Sequence, residues 1–261
     1  SAINCILKKK SGGLICGSFK SVYEVDEKNL SYNFLIKNHC GVNIFYDSSG
    51  KFYWLSTLDG LVQFSDKSII TKLPVNPDKN KILYSGGICT ETNNIYAIYS
   101  GVLVETNTAS QKYSLYDFPE KNILLTCICD GKKGNILIGT TKGIWLFNKQ
   151  SKKFSFFNLF NGDENRQYFN SLFCDSEGNL WFTTRDTLHI YRLSVSDKNP
   201  KKIDDTEIES FNASYKSKNI ISDIAEDKHK NIWLISEIGG GILSYNLNTA
   251  RWKLYKGKND R

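Results

Sequence analysis

The chain has 261 residues, of which 40% are hydrophobic and 13% aromatic, so it has ample material for a packed core and is not a disordered segment. Its 34 basic and 27 acidic residues give a net charge of +7, which favours solubility and does not indicate nucleic-acid binding. No apolar run approaches the ~18 residues of a membrane-spanning helix, and no signal peptide is visible. Because the chain contains no methionine, we expect it to be an excised or processed piece of a longer protein.

Short apolar segments separated by Gly, Asn and Asp turns follow one another from the N-terminus. The first group of four lies at residues 3–7, 14–17, 22–25 and 32–36. The last group lies at residues 221–225, 232–235, 242–245 and 252–255. Segments of this length with β-branched and aromatic residues predict antiparallel strands in groups of four.

The groups are copies of one repeat. The segment 175–191 carries an acidic turn, a Gly-Asn pair, a Trp and a closing aromatic residue, and related segments lie at 47–64, 93–104, 134–147 and 227–245, with a sixth at 12–23. We call the equivalent central residues the motif positions: Ile15, Trp54, Tyr96, Leu137, Trp181 and Trp233. They are 39 to 52 residues apart, and the longest step contains an insertion at 194–209.

A period near 40–45 residues with four strands per unit is typical of propeller blades. The sequence therefore predicts an all-β fold, a β-propeller of four-stranded antiparallel blades with six repeats in a single region spanning 1–261. Six repeats leave open whether the ring closes with six blades or includes further ones. The predicted blades are 1–38, 39–77, 78–121, 122–166, 167–216 and 217–261.

The turn before each central strand has its own chemistry. Gly134-Asn135 and Gly178-Asn179 occupy a tight turn that needs positive φ, which Gly and Asn tolerate. Asp47, Asp175 and Asp227 come before this turn, where an Asp can accept hydrogen bonds from backbone N–H groups. A calcium loop would need further carboxylates at alternate positions, so we interpret these residues as Asx turns.

No pattern in the sequence predicts catalysis. We interpret all seven cysteines as packing residues, since no pair of them has zinc spacing. His39, His189 and His229 are far apart, and we expect structural or solvated roles for them. The chain has no nucleophile elbow and no phosphate loop. We therefore predict no catalytic residue, no metal site and no cofactor.

Binding residues are predicted from the geometry of a propeller, in which the turns between second and third strands line one rim together with the crossings between blades. Mixed charges on such a rim suit a polar, hydroxyl-rich or acidic ligand. For any single residue, the alternative is an ordinary exposed turn residue. The candidates are Lys20, Asp59, Lys142, Arg185, Asp186 and Glu237 in the turns, with Arg166 and Gln167 in a crossing.

The repeat has the form D-x-x-G-N-(I/L)-W-(I/L/F)-x-T-x-x-G-(G/I)-(I/L)-x-x-(Y/F), and it resembles the two-component regulator propeller repeat, most strongly at 175–191 and 227–245. The resemblance covers all six repeats. It implies the periplasmic sensor region of a hybrid two-component histidine kinase and response regulator, as in gut-type bacteria that degrade polysaccharides. Such a region would bind oligosaccharides released from glycans and signal, through a phosphorelay, to transcription of polysaccharide-utilisation genes.

The resemblance also implies partners. These are neighbouring propeller and β-sandwich domains of the parent chain, a homodimer partner, and a membrane reached only through other parts of the chain, with no nucleic acid. Fold alone does not fix function, so two other classes stay open. One is a protein-interaction scaffold, and the other is a metal-dependent propeller lactonase or lyase. The chain itself is predicted not to be an enzyme.

Overall fold

The structure is a computed structural model of the chain, and within the residues that it describes it contains 24 strands and no helix. The described residues are 3–9, 14–18, 21–26, 31–37, 41–46, 52–57, 60–65, 69–73, 83–89, 94–99, 101–131, 134–157, 168–184, 190–194, 201–202, 221–227, 229–236 and 242–255.

The strands form six antiparallel four-stranded sheets, numbered sheet 1 to sheet 6 along the chain, and in each sheet the strands pair in sequence order. The strands of sheets 1 to 3 are β1 (Ile3–Lys8), β2 (Leu14–Ser18), β3 (Ser21–Asp26), β4 (Ser31–Lys37), β5 (Gly41–Tyr46), β6 (Tyr53–Thr57), β7 (Gly60–Phe64), β8 (Ile69–Leu73), β9 (Leu83–Cys89), β10 (Asn94–Tyr99), β11 (Val102–Asn107) and β12 (Tyr113–Asp117). Those of sheets 4 to 6 are β13 (Leu125–Asp130), β14 (Asn135–Thr140), β15 (Ile144–Asn148), β16 (Lys153–Phe157), β17 (Phe169–Cys174), β18 (Asn179–Thr184), β19 (Ile190–Ser194), β20 (Lys201–Lys202), β21 (Ile221–Glu226), β22 (Asn231–Ser236), β23 (Ile242–Asn246) and β24 (Arg251–Tyr255).

These bounds confirm the strands predicted for the first and last repeats, and each of the six motif positions lies in the second strand of its sheet. The prediction needs a correction in sheet 5. Its fourth strand, β20, lies inside the segment 194–209 that the sequence analysis treats as an insertion. Lys201 and Lys202 have no apolar alternation, so the pattern could not identify them as a strand.

The chain divides into two compact units, Ser1–Leu125 with sheets 1 to 3 and Thr126–Arg261 with sheets 4 to 6. In the first unit, the motif position of each of the first two sheets packs against the sheet that follows. Ile15 shares a buried cluster with Ile44 and Leu55 of sheet 2. Trp54 is fully buried and shares a cluster with Ile95 and Val104 of sheet 3.

The second unit repeats this arrangement. Leu137 of sheet 4 packs with Phe169 and Leu172 of sheet 5. Trp181 of sheet 5 packs with Leu234 of sheet 6, and the ring of Tyr245 lies 5.5 Å from the Trp181 ring. Because a single sheet cannot cover its own faces, contact between consecutive sheets buries apolar side chains in each unit.

Four of the cysteines belong to this packing. Cys16, Cys127, Cys129 and Cys174 are buried and carry free thiols. This confirms the packing interpretation for these four, while the side chains of Cys5, Cys40 and Cys89 lie outside the part of the chain that the structure describes.

Sheets 4 and 5 are in close contact at Gly139. A Cβ atom at this position would lie 2.4 Å from Cys127 Sγ, which is too short for non-bonded atoms, and 3.0 Å from Phe169 Cβ, which is a very tight contact. Glycine is therefore required here by space, since its φ is not positive.

Replacing Gly139 with Ala should lower the free energy of unfolding by about 1–3 kcal/mol, because the added methyl group overpacks the junction. The measurement is urea denaturation of the purified protein. The control is Gly178→Ala, whose Cβ would meet nothing within 4 Å but whose φ of 86° costs about 1 kcal/mol for Ala. Adding Cys127→Ala should recover part of the loss in Gly139→Ala and none of it in Gly178→Ala. Equal recovery in both would show that the junction does not cause the loss.

Candidate functional site

Lys142 is the candidate binding residue that the structure describes, and it lies exposed in the turn between β14 and β15. The Thr140 hydroxyl fixes this turn. Its Oγ1 donates to the Gly143 carbonyl at 2.8 Å and accepts from the Lys142 N–H at 3.0 Å. The Thr140 N–H donates to the same carbonyl at 3.0 Å. Lys142 is therefore an exposed residue on an ordered backbone.

A hydroxyl plays the same part in sheet 1. Ser18 Oγ donates to the Ser21 carbonyl at 3.0 Å and accepts from the Ser21 N–H at 3.2 Å, across the turn between β2 and β3. The sequence analysis missed this role for Ser18 and Thr140, although a Ser or Thr at the end of the second strand could have indicated it.

The structure does not test whether the other candidates come together with Lys142. They lie outside the described residues, so their place on a common rim stays a prediction. These residues are Lys20, Asp59, Arg166, Gln167, Arg185, Asp186 and Glu237.

In sheet 5, the turn that precedes the second strand contains a buried acid. Asp175 is fully buried. Its Oδ1 accepts from the N–H groups of Glu177 at 3.0 Å and Asn179 at 2.7 Å, which confirms the predicted Asx turn. Its Oδ2 accepts from Trp181 Nε1 at 2.8 Å. The sequence analysis missed this last bond, which links the acid of the turn to the motif position.

Asp227 makes the same contacts in sheet 6. It accepts from the Asn231 N–H at 2.9 Å, from Asn231 Nδ2 at 2.8 Å, from Trp233 Nε1 at 2.8 Å and from the His229 N–H at 2.8 Å. Desolvation alone raises the pKa of Asp227, but these hydrogen bonds outweigh it and hold the pKa well below its ordinary value. The carboxylate is therefore a structural acceptor and not a proton donor.

Paired asparagines extend this network across the sheet. Asn246 Nδ2 donates to Asn231 Oδ1 at 2.7 Å, and Asn107 donates to Asn94 in the same way at 2.9 Å. Asn246 Oδ1 then accepts from the N–H groups of Asn248 and Thr249, which closes the turn between the third and fourth strands. In this turn Ala250 has a φ of 53°.

Sheet 3 replaces the Asp–Trp pair with a different acid. The buried carboxylate of Glu105 accepts from Tyr96 Oη at 2.6 Å, from Asn94 Nδ2 at 2.8 Å and from Tyr116 Oη at 2.7 Å. Burial, followed by the Glu105 carboxylate, raises the pKa of Tyr116 to about 12 and that of Tyr96 further. In sheet 3 the acid lies in the third strand, and the weak third repeat contains no pattern that predicts it.

The described thiols and imidazole do not form a reactive centre. Burial raises the pKa of Cys127 to about 12, and a hydrogen bond with Cys174 together with burial raises that of Cys129. Thiols in this state are poor nucleophiles at neutral pH. His229 lies exposed in a turn, as predicted. Within the described ranges, no three His, Cys, Asp or Glu side chains are grouped as metal ligands. No helix there has the length and hydropathy of a membrane span.

The comparisons with known proteins agree on the fold. A family model described as the SMP-30/gluconolactonase/LRE-like region matches residues 90–210. No curated protein matches the chain. Among solved structures, a streptogramin B lyase is similar with a TM-score of 0.78 and 14% identity, over 99% of this chain and 84% of that chain. A virginiamycin B lyase from Staphylococcus aureus has a TM-score of 0.75 and 12% identity, over 98% of this chain and 84% of that chain.

A third solved structure is the extracellular domain of a protein described as a hybrid two component system from B. thetaiotaomicron. Its TM-score is 0.70 and its identity 14%, over 99% of this chain and 35% of that chain. At these identities the likeness shows the fold alone. The chain is a β-propeller built from four-stranded antiparallel sheets.

Replacing Asp175 with Asn should lower the free energy of unfolding by about 2–3 kcal/mol. The reason is the loss of the carboxylate that accepts hydrogen bonds from several buried donors. Thermal and urea denaturation measure the change. The control is Asp117→Asn in the exposed end of β12, which should stay within about 0.5 kcal/mol of the parent. Equal effects of the two substitutions would contradict a structural role for the buried acid.

Replacing Tyr116 with Phe should lower the free energy of unfolding by about 1–2 kcal/mol at pH 7, through the lost bond to Glu105. Because the folded-state pKa of Tyr116 is raised to about 12, its contribution is fully present below the ordinary pKa of 10.0 and is lost as pH rises through 12. The difference between parent and variant should therefore shrink between pH 10 and pH 12 in urea denaturation. The control is Tyr113→Phe, in the same strand but exposed, and a pH-independent difference for Tyr116→Phe would contradict the assignment.

Proposed function

We propose that this propeller is an extracytoplasmic ligand-sensing module of a hybrid two-component sensor, acting in the periplasm. The observation that carries the proposal is its likeness to an extracellular sensor domain, with a TM-score of 0.70. The repeated motif described above supports the same class, since it resembles the two-component regulator propeller repeat.

The coverage fits a module within a longer protein. The chain spans 35% of that sensor domain and 41% of a second one from B. thetaiotaomicron. In this proposal the remaining functions belong to other parts of the parent protein. These are a neighbouring propeller, a β-sandwich, a membrane crossing and a histidine kinase that starts a phosphorelay.

The proposed ligand is an oligosaccharide released from a glycan, and its recognition would control polysaccharide-utilisation genes. Among the described residues, Lys142 supports a ligand of this kind. It is an exposed cation on a turn held by Thr140, and such a group donates hydrogen bonds to hydroxyl and acidic oxygens of a sugar. The predicted rim residues that lie outside the described ranges would supply the other polar contacts.

Signalling then follows from differential affinity. A ligand can shift the equilibrium between two states of a sensor only if it binds one of them more tightly. We propose that the two states differ in the packing of the propeller against neighbouring domains and a homodimer partner, and that the ligand favours one packing.

A second candidate is a propeller enzyme, a lactonase or a lyase. Two observations favour it, namely the gluconolactonase-type family match at residues 90–210 and the likeness to a streptogramin B lyase. Such an enzyme would hold a metal ion. The two proposals therefore differ in whether the purified protein should contain a metal ion, and also in the ligand that it should bind.

The sensor proposal predicts that an oligosaccharide raises the melting temperature of the chain. A panel that includes sulfated and uronic-acid-rich sugars is screened by thermal shift. At a hundred times its dissociation constant, a ligand stabilises by about 2.7 kcal/mol, which corresponds to a rise of roughly 5–10 °C. For a ligand found in the screen, Lys142→Ala should weaken binding about tenfold, whereas Lys153→Ala, in the exposed first position of β16, should not.

Other outcomes separate the alternatives. A flat response from a protein that melts cooperatively would contradict the sensor proposal for this module and favour an interaction scaffold. Stoichiometric calcium or zinc in the purified protein, with turnover of a lactone or of streptogramin B, would establish the enzyme instead.

A further inference from the structure

The junction between sheets 4 and 5 holds three buried thiols. Cys127 and Cys129 alternate along β13, in which every second residue is buried, so their side chains lie on the same face of sheet 4. Cys174 ends β17 in sheet 5, and all three residues belong to one apolar cluster. Their exposed fractions are 8%, 7% and 7%. Both sheets lie in the second unit, so the packing within that unit places thiols of two sheets in one cluster.

Cys129 and Cys174 are in direct contact across this junction. A hydrogen bond joins their two thiols, and such a bond requires that no other atom lies between the sulfur atoms. The two residues are about 45 positions apart in the sequence, so the packing of the sheets brings them together. Sulfur atoms in contact need only a further small approach to reach the S–S bond length of about 2.05 Å.

Cys127 has different contacts, although it lies in the same strand. Its Sγ donates to the Phe169 carbonyl at 3.8 Å. It also lies against Gly139, where an added Cβ atom would come within 2.4 Å of the sulfur. The Cys127 thiol is therefore held against the backbone, whereas the Cys129 thiol is held against a second thiol.

We propose that Cys129 and Cys174 form a disulfide bond that joins sheet 4 to sheet 5 when the chain folds under oxidising conditions. The oxidant is the disulfide of an exchange partner, either a small molecule or a protein. One thiolate attacks that disulfide, and the second thiolate then displaces the partner from the mixed disulfide. Two S–H bonds are lost and one S–S bond forms, while the two electrons reduce the partner to two thiols, which take up the two protons.

Burial determines when this bond can form. In the folded chain the two thiols are shielded from an exchange partner, and the hydrogen bond with Cys174 together with burial raises the pKa of Cys129. Since the thiolate is the species that reacts, exchange is slow once the sheets have closed. The bond therefore forms before sheets 4 and 5 pack together, and the same burial then protects it from reductants.

The proposed bond has a consequence for stability that is independent of ligand sensing. It closes a loop of about 45 residues, which restricts the unfolded chain and stabilises the junction. A sensor and an enzyme would gain equally from it. The extracytoplasmic location proposed above would supply the oxidising conditions, because disulfide bonds form and persist outside the cytosol.

The test refolds the reduced, denatured 261-residue chain in a mixture of oxidised and reduced glutathione. After the remaining thiols are blocked, trypsin releases Cys129 in residues 122–132 and Cys174 in residues 167–185. Mass spectrometry should find these two peptides joined, with the link lost on reduction. The melting temperature should exceed that of protein refolded in reductant by at least about 5 °C.

A matched pair of variants identifies the cysteine of β13, since residues 122–132 contain both Cys127 and Cys129. Cys129→Ala should abolish the link and the gain in melting temperature, whereas Cys127→Ala should keep both. Protein that is folded first in reductant and then moved to the glutathione mixture should form at least about tenfold less of the linked peptide.

Three results would overturn the proposal. The first needs no variant, and it is a chain that refolds in the glutathione mixture with the thiols of both peptides fully open to blocking. The second is a link that persists in Cys129→Ala, because Cys127 would then be the partner of Cys174. The third is equal linking of folded and unfolded protein, because the junction would then be open to the exchange partner.

Discussion

A four-stranded antiparallel sheet has two faces, and it becomes stable in water only when an apolar face is covered. In this chain the side chain at the motif position makes the contact that covers such a face. Ile15, Trp54, Leu137 and Trp181 each place a large side chain against the next sheet of the same unit. At Gly139, where there is no space for a side chain, the backbone of sheet 4 packs directly against side chains of sheet 5. The repeat is therefore defined by packing between sheets, and the turns can vary around it.

Burial of an indole takes its N–H group away from water, and in sheets 5 and 6 the N–H groups of Trp181 and Trp233 donate to a carboxylate instead. Asp175 and Asp227 supply the acceptor, and the same carboxylates hold the preceding turn. In sheet 3 the motif position is a tyrosine, and Glu105 accepts hydrogen bonds from Tyr96 and from Tyr116. Burial of the aromatic ring, order in the turn and the charge of one acid are thus coupled. This coupling explains why Asp, Asn and Trp recur together in the stronger copies of the repeat.

The sequence was sufficient to predict the strands and the fold class because the strand pattern is repeated six times. It also predicted the Asx turns at Asp175 and Asp227, whose local hydrogen bonds depend on neighbouring residues. It could not predict the acid of sheet 3, since Glu105 lies in the third strand and matches no motif. Strand β20 was missed because two lysines have no apolar pattern. The candidate binding site was the least predictable part, because a rim is formed by residues from several repeats and only the position of Lys142 is described.

The pairing of strands in sequence order has a consequence for how the protein forms. Among the strands that the structure describes, each backbone ladder joins neighbours in the chain, so these sheets do not depend on a distant segment for their hydrogen bonds. Contacts of such short sequence separation require little loop closure and favour rapid local folding. During synthesis, each group of four strands can assemble soon after it leaves the ribosome, and the covering sheet then arrives from the next stretch translated. The molecule is in this sense suited to being built from its N-terminus, one sheet at a time.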